Sequence, residues 1–232
     1  MKFFFDELVT QSAYIWPRIL QYNAKSCGKL ALLEELPKTL ASNLTPWLEK
    51  LPDSRREALP ITPSFFWDFN ENSRKLALLT DRELIKLIRL AGVALHSKDL
   101  VKVVLRKEYL ALRDILGQDL LDYAKFLGQY QVGRASELFV HRDLELSLGL
   151  RSSLHGWLAV TLCSLEWPKE LSLKFYEQLD RLWAEFMVND LSKPWTSSPK
   201  KLAKPAWETL WRFLQRCILC EVVPAWAPYF KK

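Results

Sequence analysis

Seven glycines against 44 leucines, in 232 residues, most narrow what this chain can fold into. Glycine supplies the positive-φ turns, bulges and close backbone approaches that β folds and phosphate-binding loops depend on, whereas leucine is among the better helix formers. A sandwich, a barrel or a glycine-rich nucleotide-binding α/β fold is therefore disfavoured, and the chain is expected to be all-α. At 49% hydrophobic and 26% charged it has the composition of a folded protein, not a disordered one. The length suits one large domain, or one domain with a small appendage, and glycine is absent from 29–91 and 157–232, so no flexible linker presents itself.

Within the single domain 1–232, four parts are expected. Residues 1–79 are punctuated by Pro17, Pro37, Pro46, Pro52, Pro60 and Pro63, each of which limits helix length. Short helices are expected near 5–15, 17–24 and 29–36, and after Thr45-Pro46 and Thr62-Pro63. Residues 80–187 form the helical core. Thr80-Asp81-Arg82-Glu83 is a capping box opening a helix to about His96, with Leu84, Leu87, Ile88, Ala91 and Leu95 on one face. Ser97 caps a second helix, 98–116, that Gly117 closes as a left-handed residue. A piece from Asp119 to Leu127 stops at Gly128, and helices follow near 134–148, 153–167, 168–187 and 205–220. Residues 188–204, polar and bounded by prolines, are the best loop, and 205–232 holds the last helix and an extended tail.

The net charge of +6 is unevenly laid out. Residues 74–113 carry 10 basic and 4 acidic side chains, and 191–232 carry 8 and 2. Residues 114–190, between them, carry 7 basic and 12 acidic. Such asymmetry steers an acidic partner, a nucleic acid or an anionic membrane surface, or is neutralised within the fold. No stretch is long and apolar enough to span a bilayer, and Met1 to Glu7 is not a signal peptide. Cys27, Cys163, Cys217 and Cys220 then read as reduced, buried thiols of a cytoplasmic protein.

Motifs for chemistry are missing. There is no phosphate loop, dinucleotide fingerprint, His-Glu-x-x-His or nucleophile elbow. His96, His141 and His155 are far apart, and none pairs with another at ligand spacing. Cys217-Ile218-Leu219-Cys220 lacks the second knuckle that a zinc site needs. Glu108 falls inside the apolar arc of the helix 98–116 with Val101, Val104, Leu105, Leu112, Ile115 and Leu116. It would need a basic partner, a bend in the helix, or a general acid–base role. No catalytic residue, cofactor or metal is expected.

Partner contacts are the remaining candidates. Arg82, Lys86 and Arg89, with His96, share one arc of the first central helix, and Lys98, Lys102, Arg106 and Arg113 share one of the second. These are two basic stripes on a hairpin, or a solvated outer face. If the first stripe is an interface, reversing Lys86 and Arg89 should spare folding. Only Tyr109 accompanies the second stripe, so nucleic acid is not the expected partner. Of the ten tryptophans, Trp195 lies in the polar loop and Trp226 in the tail with Tyr229 and Phe230. These four aromatics are contact anchors, or the tail folds back onto its own domain.

Three stretches carry a family resemblance. They are Leu78-Leu79-Thr80-Asp81-Arg82-Glu83-Leu84-Ile85 through Leu90-Ala91-Gly92-Val93-Ala94-Leu95-His96, then Val101-Lys102-Val103-Val104-Leu105-Arg106, then Ala111-Leu112-Arg113-Asp114-Ile115-Leu116-Gly117. Over Leu78 to Phe126 the chain resembles the SctK/YscK-type proteins of bacterial type III secretion systems. The resemblance implies a non-enzymatic cytoplasmic adaptor of the sorting platform, monomeric in isolation and held at the inner membrane through protein contacts. Its implied partners are the cytoplasmic forkhead-associated-like domain of the inner-membrane ring protein and the pod protein that carries the export ATPase complex. It implies no contact residues. The alternatives are a helical secretion chaperone, an RNA-binding helical protein, and a helical enzyme built on Glu108.

Overall fold

The computed structural model describes residues 15–27, 65–140, 142–186, 191–196 and 200–230. The protein is all-α, and no strand occurs among the described residues. The helices expected near 5–15, 29–36 and after Pro46 and Pro63 lie outside those residues. The chain divides into two compact units, the first boundary falling between Leu79 and Thr80.

The smaller unit takes residues up to Leu79, 168–175 and 228–232. Helix α1 (Ile15–Cys27) buries Ile15, Ile19, Leu20 and Ala24 along one stripe. Asn23 is fully buried on that stripe and satisfies its amide at both ends. Its Nδ2 donates to the Phe66 carbonyl at 2.8 Å, and its Oδ1 accepts from the Phe66 amide at 2.9 Å. A buried amide paired this way fixes register instead of costing stability. A 3-10 helix, Asn72–Leu78, carries the buried Lys75. Lys75 Nζ donates to Asn72 Oδ1 and to the Tyr229 carbonyl, at 2.6 and 2.9 Å, and lies over the Phe230 ring.

The larger unit takes 80–167 and 176–227. Its opening helix α2 (Asp81–Leu95) begins where the capping box places it. Glu83 donates its amide to Thr80 Oγ1, and Thr80 donates its amide to Glu83 Oε2 at 2.8 Å. Helix α7 (Leu148–Ser164) is the central rod, buried without interruption from Leu154 to Ser164. A helix apolar all round can only be interior. Its hydroxyls are turned back on its own carbonyls, Thr161 Oγ1 donating to Trp157 O and Ser164 Oγ to Thr161 O. Helix α2 crosses α7 backbone against backbone, at Gly92 and Gly156. A Cβ on Gly92 would stand 2.0 Å from the Ser152 carbonyl oxygen, and one on Gly156 would stand 2.0 Å from the Ile88 carbonyl oxygen. The glycine hydrogens in those positions point at the carbonyls as weak C–H···O donors.

Between these two helices the expected pattern is corrected. The single helix 98–116 is broken into α3 (Ser97–Leu100) and α4 (Arg106–Leu116). Val101, Val103 and Val104 put three β-branched residues in four positions, each losing χ1 freedom in a helix. The helix unwinds there through three-residue bonds, Lys102 N to Asp99 O and Val103 N to Leu100 O. Ser97 is not the cap, since its buried hydroxyl has no hydrogen-bond partner. Gly117 ends α4 at φ 88°, ψ 155°, a positive-φ extended conformation and not the left-handed helical one.

Nor does Gly128 stop the next piece. Helix α5 (Gln118–Tyr123) runs through a π turn, Ala124–Gly128, into α6 (Gln129–Val132). Gly128 keeps helical angles, and a Cβ there would come 3.3 Å from the Ala94 Cα. The break falls at Gly133, φ 54°. The expected helix 134–148 is only a 3-10 turn, Gly133–Leu138, followed by irregular chain. Helices α8 (Lys169–Phe186) and α9 (Lys204–Cys217) come where proline placed them, and α9 continues as a π turn, Ile218–Val222. The tail is not extended but forms a 3-10 helix, Pro224–Tyr229.

Candidate functional site

The outer face of α2 carries the first candidate stripe, and the larger unit opens a groove of about 950 Å³ along it. Arg82, Lys86 and Arg89 form one wall. Ile85, Leu90, Leu116, Leu120 and Tyr123 supply the apolar lining. Phe126 and Leu127 of the π turn, and Leu182 and Phe186 of α8, complete the lining. Phe126 is 70% exposed and Phe186 53%, large apolar side chains held at the lip of a concavity. The rim mixes charge: Asp119, Asp122 and Glu185 stand with Arg82.

The first basic stripe is only partly available to a partner. Arg89 donates to the Leu116 carbonyl at 2.7 Å, capping the C-terminus of α4. Lys86 donates to the Glu221 carbonyl in the π turn after α9. Cations belong at helix C-termini, where carbonyls lack partners and the dipole is negative. Reversing them therefore removes two cap contacts, so the reversal is expected to cost some stability as well as any partner affinity. Arg82 remains an exposed rim residue.

The second stripe is not a helical face. Lys98 lies on α3, Lys102 in the following turn, Arg106 at the start of α4 and Arg113 in its last turn. All four are exposed, and the ion pairs of Lys102 with Asp99 and Arg113 with Asp114, both at 3.8 Å, are surface pairs worth little. Glu108 is exposed in the first turn of α4, because the break at 101–105 splits the supposed apolar arc: Leu112 and Leu116 are buried, while Val101, Val104, Leu105 and Ile115 are exposed.

The aromatic candidates are largely internal. Trp195 packs on Trp157 and Trp183 at 5.8 and 5.5 Å, and its Nε1 donates to Asp180 Oδ1 at 2.7 Å. Trp226 is 1% exposed and Phe230 7%, so neither is displayed, and Tyr229 is half-buried with its carbonyl held by Lys75. Apolar rings of this size fold back where a core can take them. Sequence reasoning missed Phe126, Leu127 and Phe186. The signal was Phe126-Leu127 between Lys125 and Gly128, an apolar pair that no helical stripe absorbs.

The histidines are a second correction. His96, at the end of α2, and His155, in α7, are in contact, His96 Nε2 lying 2.8 Å from His155 Nδ1. His155 Nε2 lies 2.9 Å from Asp143 Oδ2. With both rings neutral the network assigns the protons: His155 Nε2–H donates to Asp143, and His96 Nε2–H donates to His155 Nδ1. Burial, then His155 and Arg151, pull His96 down to about 3. Burial also lowers His155 against the opposing pull of Asp143, with Arg151 and Arg142 adding to the lowering.

The unfolded chain therefore takes up protons near pH 6.5 that the folded one refuses, and stability falls as pH drops below that value. His96, held well below this range, adds a slope that approaches about 1.4 kcal/mol per pH unit, and the lowering of His155 acts in the same direction. Urea denaturation at pH 7.5, 6.5 and 5.5 should show this loss, and His96→Asn should flatten it. Equal slopes in both proteins would contradict the assignment.

Of the four thiols expected to be buried, the side chain of Cys27 lies outside the described residues, and one of the other three differs from expectation. Cys163 and Cys217 are buried, but Cys220 is exposed. Burial pushes the Cys217 thiol up to about 12, and the Cys163 thiol higher still, so neither is a thiolate nucleophile. Among the described residues no group of three His, Cys, Asp or Glu side chains is placed to hold a metal ion, and no helix is long and apolar enough to cross a membrane. Comparison with family models, with curated proteins and with solved structures finds no match to this chain.

Proposed function

We propose that this protein is a non-enzymatic helical adaptor whose groove receives an amphipathic helix of a protein partner. The observation that carries the reading is the pair Phe126 and Phe186, large apolar side chains left exposed in the lining of an apolar trough that also carries charge of both signs. A helix laid in such a trough buries its apolar face on the lining and sets its register by the rim charges. Together with the resemblance over Leu78 to Phe126, this supports assignment to the sorting platform of a type III secretion system. The partners are then the cytoplasmic forkhead-associated-like domain of the inner-membrane ring protein and the pod protein that carries the ATPase complex.

A gentle pull-down from the native host, read by mass spectrometry, tests the assignment. Recovery of a membrane ring protein with a pod protein and an ATPase is the expected result. A lone exported protein would instead make the chain a secretion chaperone, and RNA would remove the adaptor reading. The groove has its own test. The paired substitution Phe126→Asp and Phe186→Asp should weaken the partner at least about tenfold, as loss of an interface hot spot does. It should move stability by no more than about 0.5 kcal/mol, because both side chains are exposed.

A further inference from the structure

The break between α3 and α4 leaves a surface the groove does not use. Leu100 is buried and anchors the turn, while Val101 is 43%, Val104 88% and Leu105 64% exposed. The turn is held in place by its own backbone, Val101 N donating to Ser97 O at 3.0 Å and Lys102 N to Asp99 O at 3.1 Å. Three aliphatic side chains in water on an ordered turn are an interaction surface that awaits a partner. Four cations surround them: Lys98, Lys102, Arg106 and Lys107, all exposed, against the acids Asp99 and Glu108. Lys102 and Asp99 form only a surface pair at 3.8 Å, and the segment keeps an excess of two cations over its acids.

We infer that residues 98–107 form a contact for anionic membrane surfaces, the aliphatic tip entering the headgroup boundary and the cations resting on lipid phosphates. Aliphatic side chains ringed by Lys and Arg are what such an interface takes up. A nucleic acid would want stacking rings, and Val101, Val104 and Leu105 supply none. This inference does not depend on the groove's occupant.

Sedimentation of the full chain with phosphatidylcholine vesicles, alone or mixed with phosphatidylglycerol, tests it. Binding is expected to the mixed vesicles only, and it should decline as salt is raised. Val104→Asp with Leu105→Asp should reduce partitioning about tenfold or more, and Lys102→Glu or Arg106→Glu about fivefold each or more. The thermal midpoint of each variant should match the parent, since these side chains are outside the core, and the Phe126→Asp, Phe186→Asp protein should bind vesicles as the parent does. Failure of the parent to bind mixed vesicles would overturn the inference. So would undiminished binding by the Val104→Asp, Leu105→Asp protein, which would reduce the effect to diffuse charge.

Discussion

Gly156→Ala is expected to destabilise the larger unit by about 3 kcal/mol or more, the upper end of overpacking. The added methyl would stand 2.0 Å from the Ile88 carbonyl oxygen, and the obstacle is backbone, not a side chain that swings away. Relief requires α2 and α7 to separate, which loosens packing along both helices at once. Gly92→Ala meets the Ser152 carbonyl in the same way and should behave alike. By contrast Gly149→Ala faces only the Ile115 side chain, at 3.1 Å, and should be milder. Urea titration of the three variants checks the order. A Gly156→Ala protein as stable as the parent would mean that the two helices do not cross at this distance.

The tail is the second place where a large loss is expected. Trp226→Ala should cost about 3–5 kcal/mol, the usual range for truncating a buried tryptophan. Trp226 is 1% exposed, and its amide donates to Val223 O at 3.0 Å, closing the first turn of the 3-10 helix that carries it. Deletion of 224–232 removes the same side chain and should lower the melting midpoint by roughly 10 °C or more for a protein of this size. An unchanged midpoint would return the tail to the role of a contact segment.

Much of the scaffold was legible because local chemistry decides it. The capping box at Thr80 and Glu83 opens α2, proline precedes or opens α8 and α9, and the polar stretch 188–204 separates them. What was not legible depends on tertiary contact or on competition between local rules. Val101 and Val104 fit the helical period, yet with Val103 beside them their branching disfavours the helix the period suggests. Gly128 reads as a stop but sits in a π turn, because close approach to Ala94 and not a turn is what requires it. His96 and His155 are 59 residues apart, and only the crossing of α2 on α7 brings their rings together. The site was half legible. The α2 cations were found as a stripe, but that two of them cap other helices, and that Phe126 and Phe186 line the same trough, follows from packing alone.

The central claim is that the trough along α2 receives a protein partner, and photo-crosslinking in the native host tests it most directly. A photoreactive residue at position 126 and a control at the exposed position 173 on α8, outside the trough, would be compared. The account predicts one discrete protein adduct from position 126, none from 173, and loss of the adduct when Phe186→Asp is added. No adduct from position 126, or the same adducts from both positions, would contradict it.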